Sequence, residues 1–342
     1  MSGNRFGIIG LGLMGREFAS AVARWAHLTA DAPRPVITGI CSPHERSHEW
    51  FRQAVPTIAV DTTDYRELLA SDAVDAVYVA VPHHLHEQIY TAALAAGKDL
   101  MGEKPFGIDL DASRRIDKAI AGNRGRFVRG ASQWPFYPPV ARMIRELRDG
   151  AAGRLIEVRA GFHHASDLDL SKPINWKRRI ATERPGSDGS PEPCETWDNA
   201  TLLCEAEHDG HAFPLVFETK RMMPGATNSW FLEVYGMKRS YRYSTSEPRT
   251  LHTCENTGRT QAWSRLDLGY EGEFDAITGG IFEFGFPDAI QQMWASFMLE
   301  RAGALGDRFA TARPEELALS HRVMTAALRS HAERRAVAPD EV

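Results

Sequence analysis

The sequence predicts two domains: a doubly wound parallel α/β (Rossmann) domain over residues 1–130, and an open antiparallel β-sheet domain with closing helices over residues 131–342. Residues 6–22, FGIIGLGLMGREFASAV, join an apolar strand-like run to three glycines and then to apolar residues at helical spacing. Up to about residue 130, short apolar runs alternate with amphipathic stretches, which is typical of a parallel sheet covered by helices. From about residue 155 long runs alternate with a period of two, which predicts strands with one buried face.

The elements follow in order along the chain. In the first domain the predicted strands are 6–9, 36–41, 74–81, 100–102 and 127–130, and the predicted helices are 14–28, 45–54, 65–69, 85–96 and 112–120. In the second domain the predicted strands are 155–164, 200–207, 213–222, 230–236 and 239–245, the last two joined by a hairpin turn at 236–238. Two helices are expected at 288–302 and 314–332, the second with a proline in its first turn, and these helices are free to pack back on the first domain.

Composition excludes several classes of protein. With 342 residues the chain exceeds the size at which a single hydrophobic core stops growing, so two domains are expected. A net charge of -5 argues against a nucleic-acid partner, because binding there needs clustered lysine and arginine. No window approaches the twenty apolar residues of a membrane helix, and the first strand leaves no room for a secretory signal, so a cytoplasmic location is expected. The four cysteines show no C-x-x-C spacing, so neither zinc nor a disulfide framework is predicted.

The glycine turn predicts a dinucleotide site. In the G-x-G-x-x-G fingerprint the first glycine makes the tight turn, the second lets the backbone approach a pyrophosphate, and the third packs the helix on the strand. Gly10, Gly12 and Gly15 fit these positions. The phosphates would lie over the helix start at Leu13 and Met14, where free N–H groups and the positive dipole end face an anion.

The end of the second strand bears on the choice of coenzyme. An acidic residue there would hold the ribose hydroxyls of NAD, but this chain has Ser42 at that place and Arg46 four residues further. Ser42 does not repel a 2′-phosphate and Arg46 could pair with one, so NADP is favoured over NAD. The alternative is that Arg46 is a solvated helix residue.

Two further stretches carry a family resemblance: VAVPHHLHEQIYTAALAAGKDLMGEKPFG, residues 79–107, and GRLIEVRAGF, residues 153–162. Together with the glycine turn they resemble the Gfo/Idh/MocA family of NAD(P)-dependent sugar and polyol oxidoreductases. The resemblance implies that Lys104, in the tripeptide Glu-Lys-Pro, faces both the nicotinamide and the reacting hydroxyl. An amine there can take up the hydroxyl proton as hydride leaves the carbon. The family typically has a cis bond before the proline that corresponds to Pro105.

The same resemblance implies further cofactor contacts. Pro82, His83 and His86 would line the nicotinamide side, and Glu103 would lie near the ribose or carboxamide. A metal site built from the histidines at 83, 84 and 86 is disfavoured, because no H-E-x-x-H helix or third acidic ligand accompanies them.

One family motif is missing. Family members usually carry D-x-G-x-H on a helix beside the nicotinamide, whose His commonly acts as the partner acid or base. Here residues 181–196 read ATERPGSDGSPEPCET, and the prolines at 185, 191 and 193 exclude a helix. The segment is therefore predicted to be absent, which would remove the usual second proton carrier.

The remaining substrate candidates come from other segments. Gln133 and Tyr137 follow the last strand of the first domain, and His163 ends the first strand of the second. Trp176 stands where family members approach the cofactor, and Lys177 beside it is a substrate candidate. Aromatic faces and amides suit sugars, although packing explains each residue equally well.

The sequence thus predicts an oxidoreductase that transfers hydride between NADP or NAD and a secondary hydroxyl of a sugar, polyol or related compound. Two alternatives stay open: a dinucleotide- or sugar-binding paralogue that has lost catalysis, and an enzyme that hydrolyses glycosidic bonds by transient oxidation. A homodimer or homotetramer through the sheet is expected, because GGIFEFGFPD, residues 279–288, with Met293 and Trp294 behind it, would leave an apolar patch on a monomer. These aromatic residues could equally fill the chain's own core.

Overall fold

The computed structural model of the protein describes residues 4–166, 168 and 199–342. The chain forms two compact units. Unit 1 runs through Gln133 and resumes at Phe286 to the end of the chain, and unit 2 comprises the described residues of Trp134–Gly285. The closing helices are therefore part of the first unit rather than the second.

The described residues contain thirteen strands and eight α-helices. The strands are β1 Arg5–Ile9, β2 Val36–Cys41, β3 Val60–Thr62, β4 Ala76–Val79, β5 Asp99–Glu103, β6 Val128–Ala131, β7 Leu155–His163, β8 Asn199–His208, β9 His211–Lys220, β10 Ser229–Gly236, β11 Arg239–Ser244, β12 Thr250–Glu255 and β13 Trp263–Asp267. The helices are α1 Leu13–Ala23, α2 His48–Ala54, α3 Tyr65–Ala70, α4 His86–Ala95, α5 Leu110–Gly122, α6 Pro138–Arg148, α7 Phe286–Arg301 and α8 Pro314–Glu333.

Unit 1 is built on a six-stranded parallel sheet in the order β3-β2-β1-β4-β5-β6. Its central strands are buried on both faces, as the near-continuous apolar runs predict. The doubly wound parallel domain is thus confirmed. The short edge strand β3 was not predicted, because three residues with partly exposed side chains give no periodic signal.

Helix α7 fills the core of unit 1. Trp294 is fully buried and stacks on Phe18 with ring centroids 3.8 Å apart, while Phe6 meets it edge-on at 5.7 Å. Met293 is also fully buried. Grouping Met293 and Trp294 with an exposed patch was therefore wrong: the apolar face of α7 is covered by the protein's own sheet and α1.

Unit 2 is built on a sheet that has seven described strands in the order β13-β12-β11-β10-β7-β9-β8. Five neighbouring pairs are antiparallel, and the hairpin between β10 and β11 is confirmed. The remaining pair, β7 with β9, is parallel, so the sheet is mixed rather than wholly antiparallel. Helix α6 and strands β12 and β13 were not predicted.

Candidate active site and coenzyme site

The fold brings the predicted groups of unit 1 to one edge of its sheet. In the observed strand order the chain proceeds one way from β1 to β3 and the other way from β4 to β6. Open α/β sheets bind ligands outside the carboxyl ends of the strands at such a reversal. The glycine turn follows β1, and Lys104 follows β5, one strand beyond β4. We call this margin of the sheet the carboxyl edge.

The three glycines of the turn have three different surroundings. Gly10 has φ +102°, and a Cβ there would lie 2.3 Å from the carbonyl oxygen of Ala80. A Cβ on Gly15 would lie 2.5 Å from the carbonyl oxygen of Gly10, whereas nothing lies within 4 Å of a Cβ on Gly12. Two glycines are thus required by the fold, and the third leaves open space, which is the division of roles that the fingerprint assigns.

The start of α1 suits a phosphate. Gly12 is the N-cap and gives no side-chain cap, so the first-turn N–H groups of Leu13, Met14 and Gly15 have no partner one turn earlier in the helix. Leu13 is 73% exposed, which is unusual for a large apolar side chain at a helix start. Backbone donors and the positive end of the helix dipole therefore face the open space at Gly12 and fit the pyrophosphate of a dinucleotide.

Lys104 is anchored by a buried carboxylate. Its Nζ donates to Oε2 of Glu103 at 3.1 Å, and the hydroxyl of Tyr78 donates to Oε1 of Glu103 at 2.6 Å. The Lys104 side chain is 49% exposed and that of Glu103 only 8%. Burial, followed by the charge of Glu103, raises the pKa of Tyr78 well above its usual value, so the phenol stays a neutral donor. The Lys104 amine is thus open to solvent while it is paired with the buried Glu103 carboxylate.

A second set of bonds fixes the backbone around Lys104. The Tyr90 hydroxyl donates to the backbone oxygen of Glu103 at 2.6 Å. His86 is fully buried, stacks on Tyr90, and bonds through its two ring nitrogens to the carbonyls of Pro105 at 2.6 Å and Val81 at 2.9 Å. Burial lowers the pKa of His86, although both carbonyls favour the protonated ring. The Lys104–Pro105 peptide is cis, which confirms that expectation.

His86 therefore links the segments that follow β4 and β5 from inside the protein. Its ring is buried and does not line a cleft. His83 lies on the first turn after β4, its ring 5.6 Å from that of His86, and is partly exposed like Pro82 before it. Of the predicted nicotinamide contacts, Pro82 and His83 thus have accessible surface at the carboxyl edge.

The end of β2 is held by a buried histidine. Nε2 of His48 donates to the backbone oxygen of Ser42 at 2.9 Å, and its Nδ1 bonds to Oδ1 of Asp61 at 2.6 Å. Ser42 is only 6% exposed, and its hydroxyl accepts from the N–H of His44 at 3.3 Å. Arg46 is exposed on the following turn. The loop therefore offers an exposed guanidinium on an anchored backbone.

The substrate candidates do not form one group. Gln133 is 4% exposed at the end of unit 1. In unit 2, Tyr137 is 4% exposed, and its ring stacks against Trp134, which in turn packs on Phe162 of β7. Because neighbouring residues of a strand point to opposite faces, His163 lies on the other face of the sheet from Phe162. Tyr137 and His163 are thus on opposite faces of the same sheet.

His163 belongs to a polar cluster on its own face. Its Nε2 bonds to Oε2 of Glu218 at 3.1 Å, and Nζ of Lys220 donates to the same oxygen at 3.0 Å. The hydrogen bond from Lys220 is the main reason that the pKa of Glu218 lies below its usual value. The predicted residues Trp176 and Lys177, and the segment 181–196 with the missing motif, lie outside the described residues.

Sequence reasoning missed the two buried tyrosines beneath Lys104. Tyr78 interrupts an otherwise aliphatic strand, Ala76–Val79, and a buried tyrosine usually finds a partner for its hydroxyl. That was the available signal. In the described residues no group of three or more His, Cys, Asp or Glu is arranged to hold a metal ion. No helix in the described part of the chain is both long and apolar enough to cross a membrane.

The comparison with protein families agrees with this geometry. Residues 4–130 match the model of an oxidoreductase family with an NAD-binding Rossmann fold. Glycine turn, strand order and family model together identify residues 4–130 as a Rossmann-fold domain of the NAD-binding type. The model that residues 4–130 match is that of the Gfo/Idh/MocA family.

Two of the curated relatives are sugar or polyol dehydrogenases by name. The chain is 26% identical over 185 residues to levoglucosan dehydrogenase from Pseudarthrobacter phenanthrenivorans, covering 54% of this chain and 47% of the relative. It is 30% identical over 162 residues to inositol 2-dehydrogenase 4 from Saccharopolyspora erythraea, covering 47% and 46%. These matches span about half the length of the curated relatives. A solved levoglucosan dehydrogenase in complex with NADH and levoglucosan has the same fold, with a TM-score of 0.83 over 96% of this chain and 97% of that chain at 19% identity.

Proposed function

We propose that this protein is an NAD(P)-dependent oxidoreductase that transfers a hydride between a nicotinamide coenzyme and a secondary hydroxyl of a sugar, polyol or related compound. The observation that carries the proposal is the half-exposed Lys104, anchored on buried Glu103 at the carboxyl edge that also bears the glycine turn. The dehydrogenases among the relatives support the sugar or polyol class. These dehydrogenases do not favour the alternative of a paralogue that has lost its catalytic activity.

The coenzyme would supply the hydride chemistry, and the chain would handle the proton. The open space at Gly12 and the N–H groups at the start of α1 would bind the pyrophosphate. As the C–H bond of the carbinol gives up its hydride, the O–H bond must also break. The amine of Lys104 would take that proton and become an ammonium, stabilised by Glu103, and in the reverse direction the ammonium would return it to the carbonyl oxygen.

The test is a binding and turnover experiment with Lys104→Ala. NADH and NADPH are titrated by fluorescence, and levoglucosan, inositols and other polyols are then screened by nicotinamide absorbance. We expect Lys104→Ala to lower kcat by about a hundred- to ten-thousand-fold, the usual effect of a lost general acid or base, with coenzyme affinity within a few-fold of the parent.

The matched control is Lys118→Ala, which removes the same charge from an exposed position on α5. It should turn over like the parent. Oxidation of a confirmed substrate by Lys104→Ala at the parent's rate would overturn the role of Lys104. Product formed with no net NADH or NADPH would instead support the glycosidase alternative.

The preference for NADP is part of the proposal. Ser42 carries no charge that would repel a 2′-phosphate, and the exposed Arg46 follows it on a loop held by His48. A guanidinium can form two hydrogen bonds with a phosphate. The family model that residues 4–130 match describes an NAD-binding fold, which supports a nicotinamide coenzyme, and the variant of Arg46 described below tests the choice between NAD and NADP.

A homodimer or homotetramer and a cytoplasmic location complete the proposal. In unit 2, Ile277, Ile281 and Phe282 expose 68%, 81% and 57% of their surface, and Leu203 on the edge strand β8 exposes 83%. Ile277, Ile281 and Phe282 are close together in sequence, and exposed large apolar side chains that form a patch are typical of interaction surfaces. Light scattering coupled to size-exclusion chromatography measures the assembly, and a monomer at micromolar concentration would contradict it.

A further inference from the structure

Glu103 is held from three directions. It is the last residue of β5 and is buried. The Tyr78 hydroxyl and the Lys104 ammonium each donate to a different carboxylate oxygen, and the Tyr90 hydroxyl donates to its backbone oxygen. The carboxylate thus has one neutral and one cationic partner, and both of its oxygens are engaged.

Of these partners Tyr78 has the most rigid position. It is 1% exposed, and its ring meets Phe18 edge-on at 5.4 Å and Trp294 at 5.1 Å. All three side chains belong to the core of unit 1, so the hydroxyl has little freedom to move. Lys104, by contrast, has a long flexible stem and is 49% exposed. The direction of support therefore runs from the core through Glu103 to Lys104.

We propose that Tyr78 is a positioning residue, whose hydroxyl fixes the Glu103 carboxylate and thereby fixes the amino group of Lys104 at the carboxyl edge. The inference rests on the proposed function of Lys104 as the group that moves the hydroxyl proton. Tyr78 touches neither coenzyme nor substrate in this scheme. It acts because a buried carboxylate that loses its fixed donor can turn, and the amino group that donates to its other oxygen is then no longer held in one place.

The chain offers a matched pair of variants. Tyr78→Phe removes only the hydroxyl that binds the Glu103 carboxylate, whereas Tyr241→Phe removes an equally buried hydroxyl that binds another carboxylate, that of Glu146 in unit 2. We expect Tyr78→Phe to lower kcat about tenfold, as losses of supporting hydrogen bonds around reactive groups do. The KM for the coenzyme should stay within about twofold of the parent's value, because Tyr78 lies outside the glycine turn. Tyr241→Phe should leave kcat within about twofold as well.

A double-mutant cycle tests the route of the effect. If Tyr78 acts through Lys104, adding Tyr78→Phe to Lys104→Ala lowers the residual rate no further. If Tyr78→Phe instead disturbs the sheet edge in general, kcat of the double variant falls by the product of the two single fold-losses. A multiplied loss overturns the proposal.

A second measurement does not need a substrate. Lys104 is acetylated with N-hydroxysulfosuccinimide acetate at about pH 8, where only the neutral amine reacts, and its labelling rate is read by peptide mass spectrometry. We expect labelling at least about twice as fast in Tyr78→Phe, because the amine is then held less firmly on Glu103, and unchanged in Tyr241→Phe. Equal Lys104 labelling rates in the two tyrosine variants overturn the inference, whatever kcat values the variants have. Absence of turnover in the parent would overturn the proposed function, and labelling would still decide the role of Tyr78.

Discussion

Arg301 and Asp99 form a buried ion pair that joins the end of α7 to the start of β5. Nε of Arg301 lies 2.7 Å from Oδ2 of Asp99, and the side chains are 3% and 11% exposed. The other oxygen of Asp99 accepts from the N–H of Phe127 at 2.9 Å. One residue earlier on the helix, Glu300 pairs with Arg129 of β6. The end of α7 therefore fastens the two strands on that side of the sheet, one of which ends at Glu103.

Arg301→Leu should destabilise unit 1 strongly. The substitution leaves the Asp99 carboxylate buried without its cation, which typically costs about 3–5 kcal/mol. Urea unfolding at neutral pH measures the loss. Arg329→Ala is the control, because its partner Glu333 is an exposed neighbour on α8 and exposed pairs contribute little. Similar unfolding midpoints for the two variants would contradict the structural role of the buried pair.

Gly10→Ala and Gly12→Ala should separate folding from coenzyme binding. At Gly10 a Cβ would lie 2.3 Å from Ala80 O at φ +102°, so this variant should lose stability and binding together. At Gly12 the space is open, so the melting temperature should stay within a degree or two of the parent's, while NADH binding weakens about tenfold because the methyl meets the pyrophosphate.

The control for the glycine pair is Gly122→Ala, which also adds a methyl group in open space, at the end of α5. It should keep full NADH affinity in the same fluorescence titration. Undiminished NADH binding by Gly12→Ala would place the pyrophosphate elsewhere.

Arg46→Ala should weaken NADPH binding more than NADH binding. Only NADPH carries the 2′-phosphate that the guanidinium would pair with, and such a charge-assisted contact is worth about 1.5–3 kcal/mol, or roughly ten- to a hundred-fold in Kd. Fluorescence titration with both coenzymes gives the ratio of the Kd for NADPH to the Kd for NADH. Arg124→Ala, an exposed arginine elsewhere in unit 1, should change neither affinity. An unchanged ratio in Arg46→Ala would remove the basis for NADP preference.

The stabilising effect of Glu146 should fade in acid. Burial raises its pKa, but hydrogen bonds from Arg142, Tyr241 and Arg239 outweigh burial, so the folded pKa lies below the ordinary value of 4.5. An acid with a depressed pKa contributes stability that is complete above its unfolded pKa and is lost as pH falls through its folded pKa. The difference in urea midpoint between the parent and Glu146→Gln should be full at pH 6–7 and shrink below about pH 4.5. A difference that grows in acid would reverse the assigned sign.

Local patterns in the sequence predicted most of unit 1. The glycine turn and the runs that became β1, β2, β4, β5 and β6 follow from hydrophobic periodicity, because strands buried on both faces read as continuous apolar runs. The short strand β3, the helix α6 and the outer strands β12 and β13 lack such a pattern. Their positions depend on neighbours distant in the chain.

The candidate site divides in the same way. Lys104 follows from Glu-Lys-Pro and the family resemblance, and the openness of Gly12 fits the fingerprint. The bond from Tyr78 to Glu103 and the complete burial of His86 do not follow from a local pattern. The Tyr78 hydroxyl reaches Glu103 only because β4 and β5 lie side by side. The separation of Tyr137 from His163 likewise depends on which face of the sheet each residue joins.

The sequence by itself determined that a Rossmann domain with a coenzyme turn precedes a β-sheet domain, because periodicity and glycine spacing are local properties of the chain. Only the tertiary structure decided that α7 returns to the core of unit 1, that β7 pairs in parallel with β9, and that a buried tyrosine supports the anchor of Lys104. The physical reason is that burial and hydrogen-bond partners are set by contacts between residues far apart in sequence, and no local pattern specifies those contacts.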